Sequence, residues 1–482
     1  MEGCILAMLD SFDPGKWTVF HAAHLLNRAG FGGTPEEIAA LHKLGMRAAV
    51  NRLIAGDEDD DLFPPPVLTT PEEWVERRQQ QRQAEGDIQR RALQKESRVE
   101  ERKQLLALRE WWLNRMRYTP YPLREKMTLF WHGHFATSFE KVNLALFIWQ
   151  QNETLRAGSL GNFRKLTKAV ARDPAMMRYL DTDKSSKTKP NENFSRELME
   201  LFTLGEGVLY TEQDVREGAR AFAGYRISPR DLQWIWAKKQ ADTGEKSFMG
   251  KSGKFTGDDV VDIICDQPEC ADFMARKFLK FFAVEEPSDH AVKALGAEFR
   301  SSGYDIKPTL RALFTSAEFY SPAAMRSQVK SPVQWVVQSA KVLDTPMISF
   351  KVLDPALGQM GQTLFGPPNV KGWDGGRAWI TSATLLLRYN LAGYMVNGRG
   401  ISGAKGKPGV NVRLDRIAPK DLRADAGKLC DALAFRLIND NLRAADRERL
   451  VEFVRERGAE ASDSTLRDLL HLMMSTPEYQ LT

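Results

Sequence analysis

The segment Phe130-Trp131-His132-Gly133-His134-Phe135 places two of the chain's seven histidines around one glycine inside an aromatic run. Neutral imidazole ligates metals and titrates near neutrality, so His132 and His134 suit either a divalent-metal pair or an acid-base pair. The backbone decides what they can share, because residues one apart lie on the same side only in extended chain and diverge by ~200° on a helix. Gly133 offers a place for a helix to end. The competing reading is two hydrogen-bonded core histidines with no ligand between them.

A second concentration of chemistry runs from Pro190 to Phe202. At helical spacing Phe194, Leu198, Leu201 and Phe202 form a buried face, and Asn193, Glu197 and Glu200 fall on an adjacent stripe with Arg196 beside them. Carboxylates bordering an apolar face can have raised pKa values or bind metal, either of which suits acid-base work. Ordinary pairing, such as Glu192 with Arg196 at i,i+4, is the alternative. Thr211-Glu212-Gln213-Asp214 continues the polar run as a helix cap. The loop Pro367-Pro368-Asn369-Val370-Lys371-Gly372-Trp373-Asp374 joins rigid prolines to an aromatic that can stack on a planar or sugar ring; a merely well-packed loop would look the same.

The elements that must position these residues are helical. Thr34-Pro35-Glu36-Glu37 and Thr70-Pro71-Glu72-Glu73 are both capping-box helix starts. The second opens a long helix through Arg77 to Arg109, where interleaved Arg, Lys and Glu predict a solvated surface; Leu105, Leu108, Trp112 and Met116 bring its end back to the core. Apolar spacing predicts helices from Leu123 to Phe135, Leu144 to Leu155, Phe163 to Leu180 and onward. Strand signals cluster at Trp234-Ile235-Trp236 and Phe248-Met249, with Asp242-Thr243-Gly244 between them as a turn, which predicts one small β-hairpin insert in a mostly α, bundle-like protein. The chain divides into an N-terminal helical segment (1–56), an acidic linker and long charged helix (57–118), a central helical region with the candidate site (119–228), the hairpin (229–256), a second helical region carrying the Trp373 loop (257–396), and a Gly- and Lys-rich loop with C-terminal helices (397–482).

Composition bounds function. Of 482 residues, 68 are basic and 63 acidic, a mixed surface that does not imply a nucleic-acid partner. Cys4, Cys265, Cys270 and Cys430 form no close C-x-x-C pair and read as free thiols, with a Cys265 to Cys270 bond open to an exported protein. No stretch approaches the ~18 apolar residues of a membrane span, and residues 1–10 make no convincing secretory signal. No dinucleotide, Walker, nucleophile-elbow or H-E-x-x-H signature is present.

Several stretches together resemble the bacterial family known as domain of unknown function 1800: Asn27 to Gly32 with Thr34 to Glu37, Leu123 to Met127 through Trp131 to Phe135, Asn191 to Gly205, Tyr210 to Glu212, Gly257 to Val260, and Pro367 to Trp373. The resemblance implies no settled activity. Its members often appear exported and tend to be encoded beside a family similar to sulfatases, which implies envelope or polysaccharide-related work. Relatives commonly show His-Asp where this chain has Ala241-Asp242, a departure that weakens metal dependence here if that histidine serves the relatives as a ligand. The expectation is a hydrolase acting on a glycan, with Glu197, Glu200, His132 and His134 as acid-base groups, the two histidines as ligands of any divalent metal, and Asn191, Asn193, Arg196, Lys371, Trp373 and Asp374 binding substrate. A noncatalytic partner of a sulfatase-like protein is the alternative. The sequence further predicts that 191–200 and 132–134 line one cavity, with the Trp373 loop at its mouth.

Overall fold

The computed structural model describes residues 9–56, 62–397, 412–439 and 442–482. Cys4, the chain start, part of the acidic linker and nearly all of the Gly- and Lys-rich stretch lie outside them. Helices α1 (Val19–Ala29), α2 (Pro35–Lys43) and α3 (Met46–Ala55) open the fold. Thr34 starts α2 by a reciprocal box, its hydroxyl accepting from the Glu37 amide at 3.3 Å while Glu37 accepts from the Thr34 amide at 2.8 Å. Thr70 and Glu73 repeat the device at the start of α4 (Pro71–Gln83). The expected single long helix is two: Gly86, at φ 81°, breaks it, and α5 (Gly86–Tyr118) folds back against α4.

Next come α6 (Pro122–His134), α7 (Phe139–Val142), α8 (Ala145–Ala157), α9 (Phe163–Ala171) and α10 (Pro174–Tyr179). Helix α11 (Asn193–Glu197) widens into a π-helical turn over Leu198–Thr203 before α12 (Glu212–Ala221). The β insert consists of two hairpins. Strand β1 (Tyr225–Ile227) pairs with β2 (Trp234–Trp236), and β3 (Lys246–Phe248) with β4 (Lys251–Gly253), so the Asp242 turn joins the hairpins instead of closing one. Asp242 is held there by Arg220 at 2.8 Å.

Helices α13 (Gly257–Cys265), α14 (Pro268–Phe282), α15 (Asp289–Ser301) and α16 (Ile306–Phe314) complete one apolar core with α1 to α3 and α9 to α12. The last helices are α17 (Pro332–Val342), α18 (Phe350–Gln359), α19 (Ser382–Asn397), α20 (Leu414–Ile417), α21 (Lys420–Arg423), α22 (Ala426–Ile438), α23 (Ala444–Arg455) and α24 (Asp463–Met474). They form a second core with the end of α5, α7 and α8. Helix α6 lies on the seam: Leu123, Met127, Phe130 and Trp131 enter the first core and Leu129 the second. The Trp373 loop spans the same seam, Val370 packing on one core and Trp373 on the other. Among the described residues no helix is long and apolar enough to cross a membrane, and Cys265, Cys270 and Cys430 are free, buried thiols.

Candidate functional site

Helix α6 runs through Gly133 to His134, so the two histidines leave it in different directions and meet different partners. They do not form a ligand pair. The Nε2 atom of His132 accepts from the Asn152 side-chain amide at 2.9 Å, a direction fixed because the Asn152 carbonyl accepts from Arg156. Its ring packs on Trp112 and Phe365. Burial, reinforced by the charge of Arg156, lowers its pKa to about 3. His132 is thus a neutral core histidine, and the acid-base and metal roles expected of it do not fit this setting. Among the described residues no group of three or more His, Cys, Asp and Glu side chains is arranged to hold a metal ion.

His132 belongs to a buried ion network. Glu125 accepts from Trp112 at 2.8 Å, Arg115 at 2.7 Å and Arg156 at 2.7 Å, and Arg156 also pairs with Glu153. Burial pushes the Glu125 carboxyl up, but the two guanidiniums outweigh it and hold the pKa at about 2.

His134 faces a cavity of about 280 Å³ on the seam between the cores. Residues Lys126, Phe130, Gly133 and His134 line it from α6, at i, i+4, i+7 and i+8; Lys277, Lys280 and Phe281 line it from α14. Trp373, Asp374, Trp379 and Glu285 complete its polar and aromatic wall. The loop comes this close because residue 372 is glycine: at φ 91°, an added Cβ would overlap the Gly133 carbonyl. The Trp373 ring then lies over Gly133, its Nε1 buried without a hydrogen-bond partner.

His134 and Lys277 make the central contact. The π-helical turn ends with free carbonyls; that of Phe202 lies 3.0 Å from His134 Nε2, and that of Leu201 accepts from Lys277 Nζ at 3.0 Å. Because Nε2 must donate to a carbonyl, Nδ1 is left as the acceptor for Lys277 Nζ, 3.0 Å away. Burial pushes the Lys277 amine down to about 7 and, with the Lys277 charge, keeps His134 neutral. Lys126, buried and bonded only to the Gln334 carbonyl at 2.7 Å, is lowered to about 7 by burial and by Arg28. Neither lysine has a carboxylate within ion-pair distance among the described residues.

The remaining expected residues divide. Trp373 and Asp374 line the cavity with His134, whereas Glu197, Glu200, Asn191, Asn193, Arg196 and Lys371 lie outside its lining. The single cavity expected for both segments is therefore replaced by one that no residue of 191–204 lines, the Phe202 and Leu201 carbonyls bonding His134 and Lys277 from behind. Arg196 forks onto Glu212 at 2.7 and 2.8 Å and reaches Glu192 and Glu200 at 3.3 and 3.5 Å, a partly exposed surface network. Glu197 is half-buried, its pKa raised by burial and then by Glu200. Asn191 receives the Asn193 amide at 2.9 Å, a local turn.

A family model described as "Protein of unknown function (DUF1800)" matches residues 24–481, nearly the whole chain. The chain belongs to the DUF1800 family. No curated protein and no solved structure matches it. Lys126, Lys277, Glu285 and Trp379 stand in no catalytic or binding motif of the sequence. The one available signal was spacing, Lys126 standing four and eight residues before Phe130 and His134.

Proposed function

We propose that this protein is a hydrolase acting on an acidic glycan, with the cavity between α6, α14 and the Trp373 loop as its active site and Lys277 as its proton-transfer group. The observation that carries the reading is the bonding of Lys277. In the neutral amine both hydrogens are committed, to His134 Nδ1 and the Leu201 carbonyl, so the lone pair is left for the remaining tetrahedral direction. An amine with pKa about 7 divides between base and acid near neutral pH, as proton transfer to and from water and a leaving oxygen requires. Lys126 and Lys280 add positive charge beside Trp373, Trp379, Phe130 and Phe281, a combination that suits a sugar ring bearing a carboxylate or sulfate. Asp374 and Glu285 supply acceptors for its hydroxyls.

Purified protein is assayed for new reducing ends on polygalacturonate, alginate and hyaluronan. Cleavage should rise as pH increases through about 7, as the free amine appears, and Lys277→Met should lower kcat by about 100-fold or more. Lys126→Met should act mainly on KM. Cleavage unaltered by Lys277→Met would overturn the assignment; binding without cleavage would favour the noncatalytic reading, a recognition partner of a sulfatase-like protein.

A further inference from the structure

A second cleft, of about 340 Å³, lies at the hairpins and shares no residue with the Lys277 cavity. Trp234 and Trp236 stand two apart on β2 and so face the same side, and Tyr225, directly opposite Trp236 in the register, joins them. Three aromatics on one face of a two-stranded ribbon would ordinarily be core. Here only part is covered. Tyr225 is buried against Phe222, and the Trp234 ring is capped by the Arg172 guanidinium at 4.8 Å. Trp236 remains 39% exposed, with half-buried Phe255 lining the same cleft.

The rim is polar and balanced. Arg172 and Lys254 bring two positive charges, Asp242 and Asp258 two negative ones, and Thr243 and Thr256 add hydroxyls. Arg172 is locked to Asp258 at 2.6 Å and Asp242 to Arg220 at 2.8 Å, so these groups are held in place before any ligand arrives. With both carboxylates answered inside the protein and Lys254 the one rim charge without an ion pair among the described residues, this rim recognises charge less strongly than the lysine-rich cavity on the seam. A neutral ring with an apolar C–H face and many hydroxyls fits both features: the face stacks on the indole, and the hydroxyls meet fixed donors and acceptors.

We propose that the Trp236 cleft binds a neutral sugar ring, as a saccharide-binding subsite separate from the Lys277 cavity. Its occupancy does not depend on the hydrolase reading. Trp236 is the stacking residue, with Asp242 and Lys254 in the rim as hydroxyl partners. The full chain is titrated by calorimetry with cellohexaose, chitohexaose and maltohexaose. At least one should bind; Trp236→Ala should weaken it about ten-fold, Trp236→Phe less, and Trp373→Ala, at the other site, not at all. Thermal melting of each variant by circular dichroism checks that the exposed position leaves the fold intact. Absence of binding by all three at millimolar concentrations, or binding that Trp236→Ala leaves unchanged, overturns the proposal. Loss of polygalacturonate cleavage in Lys277→Met bears only on the other site.

Discussion

Glu125 and Lys126 are neighbours in sequence and opposites in setting. On one side of α6 Glu125 sits among Arg115, Arg156 and Trp112, every charge answered; on the other, Lys126 enters the cavity with one amide carbonyl and the Phe31 and Phe281 rings as partners and no carboxylate among the described residues. The histidines repeat the contrast, His132 closing the ion network and His134 orienting Lys277. The same helix thus carries a structural face and a chemically available one. What distinguishes them is compensation: buried charge that is fully paired holds the fold, and buried charge left unpaired costs stability and persists where something else uses it.

The largest effect is expected of Glu125→Gln, which takes the shared buried carboxylate from Arg115 and Arg156, although Arg156 keeps Glu153. It should cost about 3–5 kcal/mol in urea unfolding. Lys126→Met, which removes a charge with no carboxylate partner, should be neutral or stabilising at pH 7, and Lys277→Met should cost less than Glu125→Gln although it leaves His134 Nδ1 and the Leu201 carbonyl without their donor. Equal losses on both sides of α6 would erase the distinction.

Next in size is Gly372→Ala, whose Cβ meets the Gly133 carbonyl in a backbone conformation that L residues avoid. A cost of about 1–3 kcal/mol and displacement of the Trp373 loop are expected, read by melting and by loss of ligand binding at the cavity.

Acid and base separate the faces through linkage. The Glu125 pKa, about 2 in the fold, lies below its unfolded value, so its contribution is present above the ordinary carboxylate pKa and is lost as pH falls toward 2. Lys126 and Lys277 are depressed bases, so between about 7 and the ordinary lysine value the unfolded chain binds more protons. Stability should therefore rise with pH across that window, and the double Met variant should show a flatter profile.

The smallest effect belongs to the surface network. Glu200→Gln should change stability by less than about 1 kcal/mol, because Arg196 keeps its fork to Glu212, and should leave cavity binding unaltered. A large loss of activity would return the carboxylates to the site.

The sequence carried the helical architecture well because capping boxes and apolar periodicity are local. Thr34, Thr70 and Thr211 all cap as their spacing indicates. Local signals could not show that Gly86 would turn the chain, or that Trp234 would find Tyr225 before Phe248, since both depend on which neighbour packs first. Within the site, His134 and Trp373 stood out by residue type. Lys277 did not, because its meaning comes from Phe202, Leu201 and His134, between 68 and 143 positions apart along the chain in their pairings. The carboxylates of 191–200 stand on a helical stripe, yet they lie outside the cavity lining, and the π-helical turn contributes only the carbonyls that hold His134 and Lys277.

The protonation state of the Lys277 amine can be observed directly. The chain is produced with ¹³C-labelled lysine, which leaves every N–H in place, the Lys277 ε-carbon signal is assigned by its absence in Lys277→Arg, and its shift is followed by NMR from acid to alkaline pH. A midpoint near 7 is the result the account predicts. Titration near the ordinary lysine value of about 10.4 would contradict it, leaving Lys277 a permanently charged residue with no lone pair to offer at neutral pH.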